Sequence, residues 1–187
     1  AWYNLGYCDF DRGRMSQARA SFEKFLALRT APARYRADAC NRLGDTYYSE
    51  RSFDRALEAY ARAEAAGGDA SATRYARYQR AVTLGILGRT DQKQQALRQI
   101  AASGGDYADE ASYELGRSYI AQEKYAEGAA QLEKFVAAYP SSPRCTQALS
   151  DLGLAYLNLG DKQKSLKYYD RVVGASPHSS EARGAMQ

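Results

Sequence analysis

The sequence predicts an all-α protein, a solenoid of about five helical hairpins. Three observations predict it. Small residues recur at Gly6, Gly44, Ala81, Gly116 and Gly153, in steps of 38, 37, 35 and 37. Apolar residues flank each of them at helical spacing. Glycine or proline breakers fill the gaps between the periodic stretches. Other columns keep step with the small one. Twelve residues after it come Ala18, Ala56, Lys93, Gly128 and Ser165. Sixteen after come Phe22, Tyr60, Leu97, Leu132 and Tyr169, and nineteen after come Phe25, Ala63, Ile100, Phe135 and Val172. A period of this length marks a stacked-repeat architecture.

Taken in order, the first hairpin covers about residues 1–30, with Gly13 placed to cap its first helix in a left-handed conformation. The second, 31–66, ends at Gly67-Gly68, where Asp69 can cap the next helix. The third, 69–103, has Gly88 at the place of Gly13 and closes on Gly104-Gly105, with Asp106 set as the following cap. It departs from its neighbours by Arg80 where they have leucine and by Lys93 in the small column. A local distortion or a wider angle is expected there. In the fourth, 106–140, Tyr113, Leu115, Gly116, Tyr119 and Ile120 make one helical stripe. After a break at Glu123-Lys124, Ala126, Ala129, Leu132, Glu133, Phe135 and Val136 make a second. Pro140-Ser141-Ser142-Pro143 stops that helix and starts the next, with Pro143 in a first turn. The fifth, 142–177, has Gly160 as a C-cap, Asp161 as an N-cap, and Ser176-Pro177 as its stop. Residues 178–187 read as the start of a further helix. The sum is ten helices, a partial eleventh and no strand.

Composition fits a core-forming chain: 187 residues, 45% hydrophobic and 26% charged. The net charge of +4 sets 26 Lys+Arg against 22 Asp+Glu with no block of one sign, so a nucleic-acid arm is not expected. The aromatics interleave with core columns rather than forming a stacking platform, which points the same way. No run of about 18 apolar residues occurs, and no insertion in a membrane is expected. Cys8, Cys40 and Cys145 are widely and irregularly spaced, so they read as single buried thiols rather than a disulfide framework.

Groups for catalysis are few, and no catalytic residue, cofactor site or metal site is expected. The lone histidine, His178, lies in a Ser-Pro-His-Ser turn. No G-x-S-x-G signature or Walker-type phosphate loop occurs. Asp9 and Asp11 read as a solvated helix end, because two carboxylates alone do not hold a metal.

The columns resemble the tetratricopeptide repeat family, and the resemblance implies a right-handed superhelical solenoid. Trp2, Leu5, Gly6, Ala18 and Phe22 carry the resemblance in the first unit, and Leu43, Gly44, Tyr47, Ala56 and Tyr60 in the second. Leu115, Gly116, Tyr119, Phe135 and Pro140 carry it in the fourth, and Leu152, Gly153, Tyr156, Tyr169 and Pro177 in the fifth. The units run longer than the family's usual length of about 34 residues. The phrase Tyr139-Pro140-Ser141-Ser142-Pro143, ahead of Leu152-Gly153-Leu154-Ala155-Tyr156, is similar to bacterial cell-envelope members: the periplasmic coordinator of the Tol–Pal system and the outer-membrane-assembly lipoprotein. Trp2 falls early in its unit and residues 179–187 resemble the opening of a sixth, so both ends are expected to cut through a longer array.

The resemblance implies a non-catalytic scaffold for a protein or peptide partner, periplasmic or outer-membrane-associated. A cytoplasmic regulatory or chaperone-type protein, or the interaction arm of a larger multidomain protein, is the alternative. In this family the first helix of each hairpin lines a groove. Mapped residue by residue, the groove here holds Tyr3, Tyr7, Asn41, Asp45, Tyr48, Tyr75, Tyr78, Tyr113 and Arg117. With 16 Tyr against 5 Phe, the resemblance implies a tyrosine-lined surface, each ring offering a rigid apolar body and a polar tip. The Lys/Asn/Arg clamp with which some members hold a C-terminal carboxylate is absent: its places carry Tyr3, Tyr7, Arg42, Tyr75 and Gln79. Open ends of the stack would also allow weak self-association.

Overall fold

The computed structural model describes residues 1–67 and 69–175, with the backbone alone for 33, 34 and 175. Gly68, the Ser176-Pro177 stop, His178 and the helix expected over 178–187 lie outside the described residues. Among the described residues ten α-helices follow one another: α1 Trp2–Asp11, α2 Met15–Ala27, α3 Ala33–Ser49, α4 Phe53–Ala66, α5 Ala70–Ile86, α6 Thr90–Ser103, α7 Ala108–Ile120, α8 Tyr125–Ala138, α9 Cys145–Asn158 and α10 Lys162–Ala175. Among the described residues there is no strand. The chain is all-α, as the periodicity predicts.

The small column and the column sixteen residues later are two sides of one contact. A Cβ on Gly6 would stand 2.7 Å from the Phe22 ring, and one on Gly44 or Gly153 would stand 2.5 Å from the rings of Tyr60 or Tyr169. On Gly116 it would meet Leu132 at 2.6 Å. The glycine is therefore what lets the second helix of a hairpin close on the first, and the large side chain fills the space it leaves.

The third hairpin has Ala81 and Leu97 in these two columns. Ala81 and Leu97 are both buried, and α5 and α6 run as unbroken helices rather than distorted ones. Its departure is an exchange of sizes. Lys93 stands where other second helices have Ala, Gly or Ser, and opposite it Gly85 stands where other first helices have Phe10, Tyr48, Ile120 and Leu157. The Lys93 stem lies over Gly85, its Cδ 3.0 Å from where a Cβ would be. In the fourth hairpin the sizes are reversed, with Gly128 beneath Ile120.

Gly13, Gly88 and Gly160 adopt φ of 70°, 69° and 79°, the left-handed caps expected of them. Arg51 and Glu123 hold the same place in the second and fourth hairpins at φ 60° and 59°, which a non-glycine residue adopts only at a cost. Asp69 accepts from the Ser71 N–H at 2.8 Å and Asp161 from that of Lys164 at 3.0 Å, so both cap as expected. Two expectations fail. The cap of α7 is Tyr107 at φ 70°, which leaves Asp106 one residue ahead of it. Helix α9 starts at Cys145 after an Arg144 cap, so Pro143 precedes the helix instead of entering its first turn.

The chain packs as two compact units, Ala1–Ala96 and Leu97–Gln187. In the first, Ala18, Phe22, Phe25, Ala39 and Leu43 join α2 to α3. Cys40, Ala56, Tyr60, Ala63 and Ala76 continue through α4 to α5. The Lys24 ammonium lies 4.4 Å above the Trp2 ring at the outer side of α1. In the second unit, Tyr113, Ala129, Leu132 and Phe135 close on Ala148, Leu152, Ala155 and Tyr156 from α9. Val172 from α10 packs on Leu149.

Candidate functional site on the first-helix face

On α3, Asp38, Asn41, Arg42 and Asp45 recur at helical spacing, so they share one face. Two tyrosines of α1 reach it: the hydroxyls of Tyr3 and Tyr7 both donate to Asp38 Oδ2, at 2.6 and 2.5 Å. Two others reach Asp45 Oδ1, Tyr60 at 2.7 Å and Tyr75 at 2.8 Å. Arg42 lies between the two carboxylates. Its Nη1 is 2.8 Å from Asp45 Oδ2, close enough for an ion pair although not aligned as a hydrogen bond, and its Nε is 4.0 Å from Asp38. The guanidinium is held between the rings of Phe10 and Tyr75, 5.6 and 5.0 Å from their centres.

Burial sets the ionisation of this group. Desolvation raises the Asp45 carboxyl above its usual range, and Arg42, Tyr60 and Tyr75 offset part of that. Desolvation, then the bond to Asp38, pushes the Tyr3 phenol up to about 12 and raises Tyr7, while Tyr60 and Tyr75 are raised by desolvation and then by the charge of Asp45 and the bond to it.

The second unit repeats the theme. Tyr113 donates to Asp151 Oδ2 at 3.2 Å, and Tyr156 and Tyr168 donate to Glu133 Oε1 at 2.8 and 2.7 Å with their rings stacked. Most of these bonds cross from one hairpin to the next. Tyr47 to Glu23 and Tyr156 to Glu133 even occupy equivalent columns. The excess of tyrosine over phenylalanine is therefore spent on tying hairpins together.

This corrects part of the expected groove. Asn41 is 1% exposed and donates through Nδ2 to the Ala72 carbonyl at 2.8 Å, which fastens α3 to α5. Tyr113 is also 1% exposed and belongs to the core between α7 and α9. Neither presents a surface to a partner. Tyr3, Tyr7, Asp45, Tyr48, Tyr75 and Tyr78 are half-buried. The fold brings Tyr3 and Tyr7 together on Asp38, and bonds Tyr75 directly to Asp45 with Arg42 against both. Tyr48 stands apart, edge-on to Phe53. The polar tips of Tyr3, Tyr7 and Tyr75 are turned to internal carboxylates rather than offered outward.

Arg117 is different. It is exposed, its guanidinium forms ion pairs of 3.8 Å with Glu114 and Asp151, and its side chain makes no hydrogen bond among the described residues. In its column, one residue after the packing glycine, α9 places Leu154, and the Tyr48 column there holds Leu157. These leucines are 43% and 50% exposed. Sequence reasoning missed both, because their spacing is that of any amphipathic helix. It also missed Asp38, Asp151 and Glu133, which lie more than twenty residues from the tyrosines they bind.

Among the described residues no three His, Cys, Asp or Glu side chains gather as a metal site, and no helix is long and apolar enough to cross a membrane.

Family models described as tetratricopeptide repeat match residues 1–31, 37–65 and 113–180. The chain is built of tetratricopeptide repeats. Solved tetratricopeptide structures agree in fold. MamA is 19% identical, over 92% of this chain and 88% of that one, with a TM-score of 0.74. YrrB, described as a TPR protein with an unusual peptide-binding site, is 18% identical over 99% and 90%, at 0.73. A Podosopora anserina putative kinesin light chain with nearly identical TPR-like repeats is 19% identical over 96% of each chain, at 0.68. No curated protein matches by sequence. Tetratricopeptide repeats are protein-interaction scaffolds, and the first-helix face is the surface to weigh for that role.

Proposed function

We propose that this protein is a non-catalytic scaffold that binds a segment of another protein along the first-helix face of its hairpins. The observation that carries the reading is on α7 and α9, where an exposed guanidinium without a hydrogen bond and two half-exposed leucines occupy the first-helix columns. An exposed leucine singly needs no explanation, but two on one face beside an open arginine form the mixed apolar and polar surface that peptide recognition uses. The tyrosine ties support the reading differently. They hold the helices in place before a ligand arrives, which lowers the ordering cost of binding.

The test is selection of displayed random 12-residue peptides on the purified protein, repeated on a Leu154→Ser/Leu157→Ser variant whose helicity is checked by circular dichroism. A recurring peptide family is expected with the parent protein and its loss with the variant. No enrichment, or full retention by a folded double variant, overturns the reading.

For its place of action we propose the bacterial cell envelope, on the strength of the Tyr139–Pro143 phrase. The three thiols, all unpaired, favour the cytoplasmic alternative. Fractionation of the parent cell with an antibody to this chain decides between them.

A further inference from the structure

The face formed by α7 and α9 has a charge arrangement that points to a ligand class. Its carboxylates are sunk and engaged. Glu110 is held by Arg144 through two bonds of 3.0 and 2.9 Å. Asp151 accepts from Tyr113 at 3.2 Å and from Gln147 at 3.4 Å. The Arg117 side chain is 55% exposed against 16% for Asp151 and 26% for Glu114, so the cation stands outermost. The guanidinium carbons of Arg117 and Arg144 lie 5.9 and 5.8 Å from the centre of the Tyr113 ring, within cation–π range. Arg144 binds Glu110 through Nε and Nη2, whereas Arg117 donates no side-chain hydrogen bond among the described residues and only pairs at 3.8 Å with Glu114 and Asp151. A planar fork of donors held on a ring suits one partner above others, a carboxylate taken by two parallel bonds.

The neighbouring Leu154 and Leu157 add a measure of distance. Packed helices lie about 8–10 Å apart, and an extended chain advances about 3.3 Å per residue, so points on adjacent first helices are about three residues apart along a bound strand. We propose that this face reads an acidic group and, about three residues away along the same peptide, an apolar side chain: Arg117 binds the carboxylate, and Leu154 with Leu157 covers the apolar group. This rests on the peptide-binding reading above and specifies its ligand. The carboxylate has two sources, an Asp or Glu side chain or a chain terminus, and blocking the terminus separates them.

The experiment measures fluorescence anisotropy with labelled 12-residue peptides that are acetylated and amidated, carrying Glu-x-x-Leu, Gln-x-x-Leu or Lys-x-x-Leu, and a Gln-x-x-Leu peptide with a free C-terminus. The proteins are the parent, Arg117→Ala, Arg117→Glu and Leu154→Ser/Leu157→Ser. The Glu peptide is expected to bind about tenfold or more tightly than its Gln counterpart. Arg117→Ala erases that difference, and Arg117→Glu turns the preference to the Lys peptide. If the free terminus alone restores the Gln peptide, the carboxylate is that of a chain end. Equal binding of Glu and Gln peptides whatever their terminus, or a preference that survives Arg117→Ala, overturns the inference. If binding ignores charge and yet is lost in the double leucine variant, the scaffold reading stands and this one falls. If no peptide binds any protein, both fall.

Discussion

A phenol that donates to a carboxylate gains a directional bond that a phenylalanine ring in the same place lacks, and this chain uses the difference repeatedly. Tyr113 is buried and bonded to Asp151, so Tyr113→Phe keeps the packing and removes one bond to a charged acceptor. A loss of about 1 kcal/mol is expected by urea denaturation, and an unchanged midpoint would show that the bond adds nothing. The same phenols give a pH signature. Tyr3 and Tyr156 are pushed up to about 12, while an unfolded tyrosine titrates near 10. A folded value above the unfolded one means that their contribution is complete below pH 10 and is lost as pH rises from about 10 to about 12. Phenolate absorbance and helicity followed together should change in that window, with Tyr3→Phe/Tyr156→Phe shifting less stability across it. Asp45 and Asp151 are raised by burial, so the folded state takes up their protons first and both favour folding as the pH falls into the carboxylate range. The excess of tyrosine was legible in the composition. Its destination was not, because composition gives no partner and the acids lie in other hairpins.

Within a hairpin, size matters more than residue type. Four glycines admit one large side chain each, and a Cβ on any of them would intrude at 2.5 to 2.7 Å. These contacts were readable as columns because they repeat. The third hairpin hid its logic, since Lys93 and Gly85 each break a column and only together restore the fit. A double-mutant cycle tests this. Gly85→Leu alone collides with the Lys93 stem, Lys93→Ala alone leaves the space over Gly85 empty, and the pair recreates the arrangement of the fourth hairpin with its sizes as usual. A coupling of about 1 kcal/mol or more is expected in thermal or urea unfolding, and simple additivity would refute the exchange. Helix ends were legible where glycine marked them. The left-handed Arg51 and Glu123 were not, because side chains that rarely adopt that conformation leave no sign in the sequence.

For the molecule as a whole, stability in stacked repeats is carried by neighbours and not by one shared core. Each compact unit has its own buried clusters, so damage should stay where it is made. Tyr113→Ala, which empties a buried site and costs about 3–5 kcal/mol, is expected to accelerate amide exchange in α7, α8 and α9 and to leave α1 to α4 at parent rates. Uniform acceleration along the chain would show a single cooperative block. Fold class and the ten helices of the described residues were written in the sequence, because each rests on a local pattern copied five times. The binding face was only half legible: the columns point to its helices, but which members are open depends on acids and leucines that the pattern does not rank. The lone indole offers a way to watch this. Trp2 sits under the Lys24 ammonium on α1, and the 16 tyrosines lie along the remaining hairpins as well as the first. Light absorbed only by tryptophan reports the first hairpin, while tyrosine emission averages over many. The protein therefore carries a built-in pair of optical reporters, one for its edge and one for its body, and needs no label to show whether the two melt at one temperature.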